Sequence, residues 1–211
     1  MMRSCWISLA AVLLILAATN AALAGTTVYT DQGSFLAAVQ PGYYLEDFSA
    51  FTYGSFTDPS LDFGPINGFE YTMSAADGLY SGDGHMSTNA SYDSLDIAFT
   101  GSPVTAIGGL FWPTDDAGLG VFGRIALSLS DGTSVSLVGP TPDTFRGFVT
   151  DGTAFTSMSI SSLEEVQWPT VDNFYVGQAG GETEVVPVPG AFLLGIVCLG
   201  CAGRRRRRRK A

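Results

Sequence analysis

His85 is the only histidine in the chain, and one imidazole among many serines and aspartates is the least from which a Ser-His-Asp hydrolase is assembled. Around it, Asp83-Gly84 and Met86 offer no Gly-x-Ser-x-Gly turn to expose a nucleophile. His85 reads as a turn histidine near the surface, and no residue is assigned a catalytic role. Asp115-Asp116, just after Trp112-Pro113, offers two carboxylates, the groups glycosidic hydrolysis needs facing each other at ~5–10 Å. Glu46-Asp47 and Glu164-Glu165 are equally close in sequence, however, and so acidic a chain carries such pairs as solvated surface. The oxygen-bearing set Asp77, Asp83, Asn89 and Asp93 falls in one Gly- and Ser-rich stretch, with Asp172 and Asn173 available from a later segment. Calcium takes six to eight such ligands, which makes it the one candidate cofactor, although no EF-hand spacing is present. Sugar binding calls for aromatic faces. Among Tyr43, Tyr44, Tyr53, Phe56, Tyr71, Tyr80, Tyr92, Trp112 and Trp168, about half of which a sandwich core should absorb, Trp112 at a strand end and Trp168 before Pro169 are the carbohydrate candidates.

Short strands must position these residues. Leu95, Ile97 and Phe99 alternate with polar neighbours, as do Ile125, Leu127 and Leu129, Met158 and Ile160, and Phe174 and Val176. That period of two places each set on one strand face. Asp77-Gly78, Asp83-Gly84, Asp131-Gly132, Asp151-Gly152 and Asn67-Gly68 supply the positive φ of tight turns, and Leu127 to Val138 is the clearest hairpin. One short helix is expected over Ser34–Val39, capped by Ser34 and ended by Pro41-Gly42. The fold class is all-β: an antiparallel β-sandwich of jelly-roll type spanning residues 25–178.

Charge narrows the partners. Seven of the ten basic residues fill the C-terminal tail and Arg3 lies near the start, so only Arg124 and Arg146 face the twenty acids of the segment between, which carries −18. Such a surface repels nucleic acid and anionic lipid. The cysteines, Cys5, Cys198 and Cys201, all lie in the terminal apolar segments, so the domain has no disulfide and no thiol ligand for a transition metal.

Both ends read as targeting segments. Residues 1–24 combine Arg3, an apolar stretch from about Trp6 to Ala18 and Ala22-Leu23-Ala24, the parts of a signal peptide cleaved after Ala24 by signal peptidase on export through the Sec machinery. A polar linker, residues 179–184, leads to residues 185–211. There the motif Val186, Pro187, Val188, Pro189 precedes an apolar helix over about 189–203, and Arg204, Arg205, Arg206, Arg207, Arg208, Arg209 and Lys210 follow. Counted from Val185 to Gly203, the span approaches the ~20 residues that cross a bilayer. The basic block holds its own end in the cytoplasm and leaves the acidic domain outside.

This tail resembles the PEP-CTERM sorting signal of bacterial exosortase systems, as a Val-Pro-x-Pro variant with Val188 at the position of that family's glutamate. The resemblance implies that an exosortase acts near the motif and passes the protein from the inner membrane to the cell surface or extracellular matrix. More loosely, the body resembles β-sandwich domains common on such proteins, through Tyr29 to Val39 with Phe35, Glu46-Asp47-Phe48, His85 to Asn89, Phe145-Arg146-Gly147-Phe148 and Val171 to Phe174. The expected function is non-enzymatic: a structural or adhesive protein of the cell envelope or exopolysaccharide. A calcium-dependent carbohydrate-binding module is the first alternative and a polysaccharide hydrolase the second.

Overall fold

Where the sequence alternates apolar with polar residues, the chain forms strands. The structure is a computed structural model describing residues 25–51, 54, 55, 59–82 and 84–181. Asp83, Tyr53, Phe56, the expected signal peptide, the last residues of the expected linker and the whole expected sorting segment lie outside the described residues. The strands are β1 Thr26–Tyr29, β2 Tyr44–Glu46, β3 Gly54–Ser55, β4 Ser60–Ile66, β5 Phe69–Ser74, β6 Leu79–Gly82, β7 His85–Thr88, β8 Ser94–Phe99, β9 Ala106–Thr114, β10 Arg124–Leu129, β11 Ser134–Val138, β12 Phe145–Thr150, β13 Ser157–Ser162 and β14 Trp168–Gly177. One helix, α1, covers Gln32–Ala37. Among the described residues no helix is long and apolar enough to cross a membrane.

The strands form two antiparallel sheets packed face to face. One runs β1-β12-β9-β14-β7-β6-β3, with β2 also on β14; the other runs β11-β10-β13-β8-β5-β4. From β7 to β10 and again from β11 to β14 the chain changes sheet, so neighbours in sequence face each other across the core. That core holds the alternating sets: Leu95, Ile97, Ile125, Leu127, Met158, Ile160, Phe174 and Val176 are all buried. Sheet-on-sheet packing of this kind interdigitates the two inner faces. In the β10–β11 hairpin, Gly132 takes φ +90° and the Leu129 N–H donates to the Thr133 carbonyl at 2.8 Å.

The helix differs from expectation in its start and its cap. Asp31, not Ser34, is the N-cap: its Oδ1 accepts the Ser34 N–H at 2.8 Å. A carboxylate three residues ahead of a free amide outcompetes a serine inside the first turn.

Strands β7, β9 and β14 are buried on both faces nearly throughout, which a half-exposed sheet would not show. Two covers explain it. Over one end of the outer face, α1 lays Phe35 on the paired glycines Gly108 and Gly147, building a second apolar cluster with Val39, Ala106, Phe145 and Tyr175. Over the other end fold the loops that form the site.

Candidate functional site

The outer face at that end is built by register. Tyr80 pairs with Ser87 between β6 and β7, Ser87 with Thr170 between β7 and β14, and Thr170 with Trp112 between β14 and β9; one step along, Trp168 pairs with Thr114. Partners across antiparallel strands project to the same side, so aromatic rings and hydroxyls from four strands share one surface. The hydroxyls form a buried row. Ser87 Oγ donates to the Pro169 carbonyl at 3.0 Å, Thr170 Oγ1 to Ser87 Oγ at 3.2 Å, and Thr114 Oγ1 lies 3.0 Å from Thr170 Oγ1. Polar groups this buried are kept only when bonded.

The segment after β9 closes on itself through Asp115, whose Oδ1 accepts the N–H groups of Ala117 at 3.0 Å and Leu119 at 2.9 Å. The turn folds back over the sheet. A methyl group on Gly118 would lie 3.9 Å from His85 Nε2, and one on Gly120 3.4 Å from Trp112 Cδ1. Beneath it the His85 and Trp112 rings meet edge to face with centroids 5.7 Å apart. Trp112 is 5% exposed and His85 8%. His85 is thus a covered residue, not the surface turn histidine expected, because the turn that follows β9, on the far side of β14 from β7, lies over it.

Between this turn and the Asn89 segment opens a solvent-facing cleft of about 140 Å³, lined by Tyr80, Ser87, Thr88, Asn89, Thr114, Asp115, Asp116, Gly118 and Trp168. Trp168 is half-buried, its indole N–H donating to the Asn89 carbonyl at 3.3 Å. That bond turns the indole N–H toward the Asn89 segment. Of the two carbohydrate candidates, Trp168 lines the cleft, while Trp112 does not and is buried against His85 and Gly120. The most exposed aromatics, Tyr92 and Phe122, are not part of the lining.

The carboxylates fall into three groups. Asp115 and Asp116 sit at the mouth of the cleft on one turn, and Asp115 spends an oxygen on holding that turn, an arrangement unlike two carboxyls facing each other across a scissile bond. Asp77, Asn89 and Asp93 do converge: the Asp77 N–H donates to Asp93 Oδ2 at 2.7 Å, Asn89 Nδ2 to the Asp77 carbonyl at 3.3 Å, and the Tyr92 hydroxyl to the Asp77 carboxylate. Those atoms serve as acceptors that tie the two turns together. Among the described residues no group of three or more His, Cys, Asp or Glu is arranged to hold a metal ion. Asp172, two residues along β14 from Thr170, has its carboxyl raised from the ordinary value by burial, against the Asn173 N–H that stabilises the anion, with the Asp47 charge adding to the rise.

Sequence reasoning passed over Ser87, Thr114 and Thr170, and did not single out Tyr80. A signal existed: His85-x-Ser87-x-Asn89, Trp112-x-Thr114 and Trp168-x-Thr170-x-Asp172 each alternate polar or aromatic residues on one face.

No protein-family model matches the chain, and no curated protein matches it. Two solved structures, both point mutants of CBM29-2 from a study of ligand recognition by family 29 carbohydrate-binding modules, are similar at 10% identity. One has a TM-score of 0.38 and covers 69% of this chain and 99% of its own; the other has 0.33, covering 69% and 97%. A likeness so slight does not bear on what this chain binds.

Proposed function

We propose that the protein is an exported, non-catalytic glycan-binding β-sandwich, acting in a structural or adhesive role at the cell envelope or within exopolysaccharide. The cleft carries this reading. Trp168, bonded to Asn89, presents a ring face beside Tyr80, above a rigid floor of hydroxyls and next to two carboxylates that can accept sugar hydroxyls. Apolar ring faces with a few placed polar groups are what a sugar's alternating C–H and O–H surfaces require. The changes of sheet along β7 to β14 support treating the sandwich as a jelly roll. For delivery, the exosortase-type tail at Val186 to Lys210 is the proposed route, with the inner membrane as its first station.

Titration of the purified protein against a panel of polysaccharides, by calorimetry or affinity electrophoresis, tests the reading. Binding is expected to at least one polymer and to fall at least about tenfold in Trp168→Ala, the loss of one stacked ring, with Phe122→Ala, an exposed ring outside the lining, unchanged. No binding to any polymer, or equal losses in both variants, rules the cleft out. Repeating the titration with a chelator separates calcium dependence, for which Asp77, Asp83, Asn89 and Asp93 are the proposed ligands, from binding without metal.

A further inference from the structure

Resting on the reading of the cleft as a glycan site, we infer that it selects uncharged polysaccharide and rejects chains bearing carboxylate or sulfate groups. An anion is held by cations or by uncommitted N–H and O–H donors, and the lining of the cleft carries no Lys, Arg or His. Three of its donors are already engaged: the Trp168 indole N–H on the Asn89 carbonyl, Ser87 Oγ on the Pro169 carbonyl, and Thr88 Oγ1 on the Ala90 carbonyl. What the lining adds is carboxylate: Asp116, which is exposed, and Asp115, one oxygen of which holds its own turn. Such a rim accepts hydrogen bonds from sugar hydroxyls and repels negative charge.

The two arginines of the domain do not offset this. Arg124 Nε is held by Glu164 Oε1 at 2.6 Å. Arg146 donates to the Phe145 carbonyl at 2.6 Å, on a strand where its pairing partner Gly109 is five residues along β9 from Thr114, about 17 Å away. The field over the cleft is therefore set by the −16 of the surrounding domain, residues 25–178, which a concave, low-dielectric site concentrates.

The test compares polymers that differ only in charge. A neutral hexan found to bind is oxidised at C6, so that length and linkage are kept while hydroxymethyl groups become carboxylates. Both forms are titrated at low salt and at about 0.15 M, where screening reaches within the width of a domain. The oxidised form is expected to bind at least about tenfold more weakly at low salt. The gap is expected to narrow with salt, and to narrow in Asp116→Asn, whose side chain is exposed. Equal or tighter binding of the oxidised polymer overturns the charge selection while leaving the glycan site standing. A gap that neither salt nor Asp116→Asn changes belongs to shape and also overturns it. Failure of every neutral polymer to bind removes the glycan reading itself, and this inference with it.

Discussion

Two tryptophans of similar sequence context have opposite fates, and single contacts decide them. Trp112 is closed over by Gly120 and set against His85, whereas Trp168 is held at the cleft by one hydrogen bond. Asp172 shows the same dependence on immediate surroundings. Burial, with the Asp47 charge, raises its folded value above the ordinary 3.8 despite the Asn173 N–H. A carboxyl raised on folding makes no difference below 3.8, where both states are protonated; above it the fold loses stability until the folded carboxyl has ionised, and the loss persists at neutral pH. Asp47, held low by bonds from Ser49, has the opposite sign: its contribution is present above 3.8 and disappears as acid protonates it. Asp172→Asn is therefore expected to melt higher relative to the parent at neutral pH than below pH 3.8, by circular dichroism. A melting difference that is the same at both pH values would show that Asp172 acts through its hydrogen bonds to Asn173 alone.

At the scale of elements, α1 is a plug whose fit depends on two residues having no side chain. A methyl group on Gly147 would stand 2.4 Å from Phe35 Cδ2, and one on Gly108 2.8 Å from Phe35 Cε1. Both contacts are with a buried ring that has nowhere to go. Overpacking of this kind costs about 1–3 kcal/mol, so Gly147→Ala should lower the denaturation midpoint accordingly. Pairing it with Phe35→Leu should recover part of the loss relative to the sum of the single changes, since contacting sites are non-additive; strict additivity would mean that the ring and glycine do not meet. The strands themselves were legible because Leu95 and Ile97, or Ile125, Leu127 and Leu129, face the core from one side only. Strand β7 was not, because Met86 is the one apolar residue among His85, Met86, Ser87 and Thr88, although all four are buried, so no apolar set marks a core face. The hydroxyl row was hidden for a further reason: Thr114 and Thr170 are 56 residues apart in sequence, and only strand register brings them together. Trp112 looked like an exposed ring because nothing local announces that the following turn folds back over it.

Across the whole molecule, charge is segregated as strictly as burial is. The chain carries −10, but the tail from Arg204 to Lys210 and Arg3 hold eight of its ten cations, leaving the domain and linker, residues 25–184, at −18. Within the described residues the sandwich closes its own core between the two sheets, so the terminal segments are not needed to complete it. Under the proposed sorting route, folding is left to the sandwich, whose acidity repels anionic surfaces. The proposed exosortase route makes a definite statement about the mature chain: its C-terminus lies before Arg204, near Pro187 to Gly190, and it focuses at a more acidic point than the full-length protein. C-terminal peptide mapping and intact mass of the protein recovered outside the cell check both. Cells without an exosortase are expected to hold a longer, membrane-bound form. A mature protein that still ends in Arg204 to Lys210 would make the segment a plain tail anchor, because the basic block retains its orienting role whether or not Val188 is accepted between the two prolines.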